Sequence, residues 1–214
     1  MTTLSDAPFQ DLSVAVKRRL IEHVGEAIED HAEELTRLDK AIGDGDHGIN
    51  MSRGVRAVSA ETEQLVQLDT SRILQRIGMI LVMNIGGAAG PIFGTFFLSL
   101  AKGLEKNPEP AFFPQIFEAS VESVCARGKS RPGQKTVIDV LAPLSDLLLS
   151  GKPLSLAAFS EAASAATKAT IPLQAQRGRA SFLGARSIGH MDPGARSAEL
   201  MIRAVCSVLA KECQ

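Results

Sequence analysis

The chain has 214 residues, 45% of them hydrophobic and 22% charged, with 23 basic side chains against 24 acidic ones. That length can bury one substantial core, and no Pro/Gly/Ser-rich or charged linker splits it, so one domain over residues 1–214 is expected. Such a balance leaves no net field to attract nucleic acid or an anionic membrane, so any anion must be met by local structure.

The opening segment, MTTLSDAPFQDLS, is too polar for a signal peptide. Cys125, Cys206 and Cys213 are odd in number and lack metal-like spacing, which suits a reducing compartment, so a cytoplasmic location is expected.

Helical periodicity dominates the chain, and no stretch alternates as a strand would. A first helix is expected from near Asp11 to Leu38, where Leu12, Val16, Leu20, Val24, Ile28 and Leu35 form one apolar stripe. A second starts near His47 and a third covers about 70–85. Residues 77–101 carry no charge and are long enough to cross a bilayer. Asn84, Gly86, Gly87, Gly90, Pro91 and Gly94 interrupt that run and would leave backbone groups unpaired in lipid. Two buried helices meeting at a loop are therefore expected, without a membrane span.

The fourth helix opens at Gly90-Pro91, where proline suits a first turn, and stops at Asn107-Pro108-Glu109-Pro110. Further helices are expected over about 113–126, 136–149 and 155–170, and a last one after Asp192-Pro193-Gly194 with Asp192 as its cap. With nine Phe and neither Trp nor Tyr, the core must be built from Leu, Ile, Val and Ala, whose size lets helices approach closely. The fold class is all-α: an antiparallel barrel or bundle of about eight helices, with its chemistry in loops at one end.

The loop Leu38-Asp39-Lys40-Ala41-Ile42-Gly43-Asp44-Gly45-Asp46-His47-Gly48 concentrates negative charge. Three aspartates this close repel one another unless a counter-ion joins them. Carboxylate oxygens are hard ligands, so Mg²⁺ is favoured over zinc, and magnesium fills its remaining positions with water and phosphate. A calcium loop of the EF-hand type fails on register: counted from Asp44, Gly48, Ile49 and Val55 fall where an oxygen ligand, a glycine and a glutamate are needed. A solvated turn capping the next helix is the plain alternative.

Three other loops stand out. Gly86-Gly87-Ala88-Ala89-Gly90-Pro91 would let phosphate reach backbone N–H groups at a helix start, or would simply be a tight packing turn. Arg127-Gly128-Lys129-Ser130-Arg131-Pro132-Gly133-Gln134-Lys135-Thr136 approaches a phosphate loop but misses it, because Gln134 holds the lysine position and Lys135 is shifted by one. It reads as a basic loop, either lining a nucleotide or merely solvated. Residues 177–194 hold four glycines and three arginines, a composition unlike a helix, and loops this long are usually functional or disordered. Arg179 or Arg186 could neutralise phosphate charge there, or pair with surface acids.

Taken together, LDKAIGDGDHGINMSRG, GGAAGPIFGTFF, GQKTVIDVLAP and GRASFLGARSIGHMDPGARS closely resemble the nucleotide-binding (DhaL) subunits of dihydroxyacetone kinases, from about residue 12 to the C-terminus. The resemblance implies a barrel of eight antiparallel helices with ADP or ATP bound at one end. Two Mg²⁺ would join the nucleotide to Asp39, Asp44 and Asp46, and with Arg179 these would form the catalytic set. Nucleotide contacts carry over to His47, Gly48, Ile49, Asn50, Ala88, Ala89, Gly128, Val137, Arg179, Asp192, Pro193 and Gly194. Ala89 stands where the family often has serine, leaving backbone N–H groups alone to meet phosphate. Gln134 and Val137 replace the usual Asp and Met.

By the same resemblance the acceptor, dihydroxyacetone or another short ketose such as erythrulose, would sit on a separate DhaK-like subunit. A DhaM-like phosphohistidine protein of the phosphotransferase system would recharge bound ADP, or ATP would exchange instead. A catalytically silent nucleotide sensor is the rival reading. No nucleic acid or membrane partner is expected.

Overall fold

A computed structural model of the chain describes residues 12–212; residues 1–11, most of the polar opening segment, and Cys213 lie outside them. The described residues form ten α-helices: α1 (Val14–Asp30), α2 (Ala32–Ile42), α3 (His47–Ser59), the one-turn α4 (Thr62–Leu65), α5 (Thr70–Asn84), α6 (Ala89–Lys106), α7 (Phe113–Gly128), α8 (Ile138–Leu149), α9 (Leu156–Ala169) and α10 (Pro193–Glu212). Local sequence sets their starts. Ser13, Asp69 and Ser155 cap α1, α5 and α9 by accepting the N–H of Val16, Arg72 and Ala158.

The helix expected over 11–38 is two helices. At His31 the backbone leaves helical values, its N–H turns to the Glu29 carbonyl, and its ring Nδ1 takes up the Ala27 carbonyl at 2.8 Å. The apolar stripe continues across this break, with Val16, Ile28 and Leu35 all buried. Counting α1 and α2 as one broken rod and setting α4 aside leaves eight long rods.

Each rod packs on its successor, and α10 returns to pack on α1, so the ring closes into a barrel. An ion-pair chain helps fasten the closure: Arg196 of α10 meets Glu34 of α2 at 2.9 Å and the buried Glu199 at 2.9 Å. On the far side, α5 and α6 approach so closely that a side chain added at Gly78 would meet Leu98 and the Gly94 carbonyl. That contact is the two-helix reading of residues 77–101, and no helix among the described residues is long and apolar enough to cross a membrane.

The centre of the barrel is filled by apolar side chains, and buried polar groups such as Lys135, Thr167 and Glu199 are held by hydrogen bonds or ion pairs. Phe96, Phe117 and Phe159 run across it in edge-on pairs 5.4 and 6.3 Å apart, beside a cavity of about 290 Å³ lined by Leu, Ile, Val and Phe. Unpaired charge is too costly in such a medium, so any site for a charged ligand is confined to the barrel ends. Because successive rods are antiparallel, the connections 43–46, 85–88, 129–137 and 170–192 all fall at one end. These are the four unusual loops of the sequence.

Candidate metal centre and anion site

Asp39 lies in the last turn of α2, and Asp44 and Asp46 in the short link to α3. The link has no spare room. A side chain at Gly43 would strike the Asp39 carboxylate, and one at Gly45, where φ is +77°, would strike the stem of Lys40. Asp39 Oδ2 accepts the N–H groups of Asp46 (2.9 Å) and His47 (3.1 Å), which folds the link back over the helix end. One carboxylate oxygen from each aspartate lies within 4.8 Å of the others, Asp39 being the most enclosed.

Arg179 reaches this cluster from the long loop, its Nε 3.0 Å from Asp44 Oδ2. His47 opens α3 and holds Ser197 of α10 through Nε2 at 2.8 Å, while the Ser197 hydroxyl donates to the Pro193 carbonyl. Nε2 is therefore the protonated nitrogen. Enclosure of the ring pushes the His47 pKa below its ordinary value against the opposing pull of Asp39 and Asp46, so the imidazole is neutral at neutral pH.

The remaining expected contacts form a circuit from this point. Gly86 packs on Asn50 and Arg53 of α3, and Arg53 holds the Asn84 carbonyl at 2.6 Å. Ala88 and Ala89 open α6 without a side-chain cap, so its first N–H groups lack an intrahelical partner. Ile92, one turn on, touches the position a side chain would take at Gly128, which ends α7. Past the next loop, Val137 lies against Gly194, and Asp192 caps α10 by accepting the Ala195 N–H at 2.7 Å. Ser197 then leads back to His47. The starts of α3, α6, α8 and α10 thus share one barrel end, each presenting the positive end of a helix dipole.

Burial, with Asp139 nearby, outweighs the Ala195 N–H and Lys135 and pushes the Asp192 carboxyl up to about 7.

Two sequence expectations need revision. Residues 179–187 are not structureless: they form tight helical turns kinked at Gly184. Lys135 does not line a nucleotide as part of a basic loop, because its side chain is 1% exposed and points inward to three carbonyls. Lys129, Arg131 and Arg177 supply the basic surface instead, around a cleft of about 500 Å³ shared with Gln134 and Cys125. Ser197, the partner that orients His47, had no signature in the sequence beyond lying one helical turn after Pro193.

The donor set fits a hard divalent cation: all three groups are carboxylates, close enough to share one ion, and among the described residues no cysteine accompanies them.

Residues 41–207 match the DAK2 domain. The chain is 40% identical over 196 residues to the PEP-dependent dihydroxyacetone kinase ADP-binding subunit DhaL of Escherichia coli (strain K12), covering 88% of this chain and 93% of that one. It is 34% identical over 186 residues to the PTS-dependent counterpart of Lactococcus lactis, covering 86% and 92%. Human triokinase/FMN cyclase is 31% identical over 189 residues, of which the match spans 32%. Among solved structures, the dihydroxyacetone kinase of C. freundii superposes with a TM-score of 0.74 at 26% identity, over 94% of this chain and 36% of the longer one. The same enzyme in complex with AMP-PNP and Mg²⁺ gives 0.72 at 25% identity, over 90% and 34%. The chain belongs to the DAK2-domain family, that of the DhaL subunits of dihydroxyacetone kinase.

Proposed function

We propose that this chain is the nucleotide-carrying subunit of a dihydroxyacetone (glycerone) kinase and delivers the terminal phosphate of a bound nucleotide to a short ketose held by a partner. The observation that carries this is the convergence, at one barrel end, of three carboxylates within 4.8 Å and four helix starts. A negative cluster amid positive dipole ends makes sense where a cation and an anion bind together.

Asp39, Asp44 and Asp46 would hold magnesium, two ions in this reading, which would supply positive charge to offset that of the phosphates during transfer. The protein supplies the rest by position. Backbone N–H groups of Gly48 and Ile49 at the start of α3, and of Ala88 and Ala89 at the start of α6, would meet the phosphates without needing a side-chain hydroxyl, while His47 and Asn50, whose own N–H groups are held by the Asp39 carboxylate and the Asp46 carbonyl, would line the site with their side chains. Arg179 is placed to exchange its bond to Asp44 for one to phosphate. Gly128 and Val137 flank the base, and Asp192, Pro193 and Gly194 close the far wall. No nucleophile is required of the chain, since phosphoryl transfer is governed by positioning and electrostatics.

The E. coli and L. lactis relatives carry PEP and PTS dependence in their names. We extend this to the present chain: a DhaK-like subunit holds the ketose, and a DhaM-like phosphohistidine protein recharges ADP in the cytoplasm. Residues 1–214 act as one domain in this scheme.

Calorimetric titration with ADP tests the site, and heat of binding is expected with Mg²⁺ and not with a chelator. Mixing the chain with a ketose-binding subunit and either ATP or a phosphohistidine donor tests the activity, with ketose phosphate followed by ³¹P NMR. Nucleotide binding without any phosphorylated ketose would make the chain a sensor rather than a kinase subunit.

A further inference from the structure

Lys135 is the largest fully buried side chain in the barrel, and the phosphoryl-transfer scheme gives it no task. Among the described residues it forms no salt bridge. Its ammonium donates to the carbonyls of Thr170 (2.9 Å), Ile171 (3.3 Å) and Leu173 (3.0 Å), where the chain leaves α9. Those carbonyls lie at and just past the C-terminus of α9, near the negative end of its dipole, and two of them also accept backbone N–H groups, from Leu173 and Gly189, so the cation adds its three donors to a turn that is already folded. Its backbone is also unusual, with φ at +61°, a left-handed value rarely held by a residue other than glycine without a reason in the surrounding structure.

The turn that Lys135 grips is the anchor for both ends of the long loop. Thr170 Oγ1 accepts the Asp192 N–H at 3.2 Å, and the Ile171 carbonyl accepts the Gly189 N–H at 2.9 Å. At the other end of the loop, Gln176 N–H donates to the Gln134 carbonyl at 3.1 Å, beside Lys135 itself. Asp139 meanwhile holds the N–H groups of Gly133 and Thr136, fixing the backbone on either side of the lysine. Two segments from distant parts of the sequence, 133–137 and 170–192, are therefore pinned together by the Lys135 ammonium on the turn after α9 and by Gln134 on Gln176 and Arg177.

We infer that Lys135 is a positioning residue for nucleotide: by clamping the turn after α9 it sets Asp192, Pro193 and Gly194 against Val137, and so fixes the wall of the base side of the site. This rests on the nucleotide reading above. The three aspartates of the metal reading lie elsewhere, at the end of α2 and in its link to α3, and from the long loop Arg179 reaches them, through Asp44, well beyond the turn that the lysine holds.

Lys135→Met keeps the stem and the backbone strain and removes only the charged donors. At a temperature where the variant is fully folded by circular dichroism, its affinity for ADP in Mg²⁺ is expected to fall about tenfold or more, as small displacements of binding groups do. Its affinity for Mn²⁺ without nucleotide, read by electron paramagnetic resonance, is expected to stay at the wild-type value. Thr170→Val leaves the lysine in place and removes the hydroxyl that holds Asp192; the same selective loss is expected, about threefold, being one neutral hydrogen bond. Should Lys135→Met fail to fold, Thr170→Val decides the matter alone. Unchanged ADP affinity in the folded variants overturns the inference, as does a parallel loss of ADP and Mn²⁺ binding, which marks general loosening. A wild-type chain that binds Mn²⁺ but no ADP overturns the nucleotide reading itself.

Discussion

Gly48→Ala sets two physical effects against each other. Gly48 lies in the first turn of α3, where alanine gains up to about 1 kcal/mol in helix propensity over glycine. The structure opposes that gain. A methyl group at this position would overlap the Ala32 carbonyl and the Thr36 hydroxyl of α2 and sit 2.9 Å from the Thr36 backbone nitrogen. Backbone atoms cannot step aside singly, so α2 and α3 must part, and overpacking of this kind costs about 1–3 kcal/mol. A net loss of about 1–2 kcal/mol is expected, or roughly 2–8 °C in melting temperature at this chain length.

The same displacement moves Asp39 on α2 away from Asp46 and His47, whose N–H groups it accepts, so magnesium-dependent ADP affinity is expected to fall as well. Urea denaturation and calorimetry on one preparation read both effects. Gly87→Ala is the control: its φ of +65° carries strain, but open space surrounds it, so it is expected to lose stability while leaving the α2–α3 contact intact. A Gly48→Ala chain that is more stable than wild type, with unchanged ADP binding, would refute the close-packing argument.

Asp46→Asn removes one carboxylate from the cluster without breaking a side-chain cap. Carboxylate repulsion relieved and helix-dipole attraction lost are each about 1 kcal/mol or less, so metal-free stability is expected to change little. The stabilisation by Mg²⁺–ADP, about 2.7 kcal/mol at a hundredfold excess over the dissociation constant, is expected to disappear in a thermal shift assay. Asp192 predicts a pH dependence: its carboxyl, pushed up to about 7, keeps in the folded state a proton that the unfolded chain releases near 4. Stability from this group is therefore full below about pH 4 and is lost as pH rises through about 7, by roughly 1–2 kcal/mol once its residual contact with water is allowed for. Asp192→Asn, followed by urea denaturation across that range, is expected to flatten the slope.

Much of this molecule is legible in the residues. The eight rods follow from 3.6-residue periodicity and from proline and glycine stops such as Gly90-Pro91 and Asn107-Pro108, because amphipathic helices of this length must bury one face. The cluster of Asp39, Asp44 and Asp46 was visible for a different reason: like charges so near in sequence have few uses without a cation. What was not visible depends on contacts across the ring. Nothing local marks His31 as the break in the first rod, since the cause is a ring nitrogen meeting a carbonyl one turn back. Ser197 meets His47 across 150 residues of sequence. In the sequence Lys135 reads as one member of a basic loop, nucleotide-lining or solvated, and only the turn after α9, brought over it by the barrel closure, gives its charge buried partners.

The central claim is that a divalent cation and a nucleotide share the barrel end where Asp39, Asp44 and Asp46 converge. Crystals grown with ADP and Mn²⁺, with diffraction recorded at the manganese absorption edge, test it directly. An anomalous peak within about 2.0–2.3 Å of those carboxylate oxygens, touching phosphate, is the predicted result. A well-ordered ADP with its metal elsewhere on the chain, or three aspartates left facing water in crystals that hold the nucleotide, would contradict it.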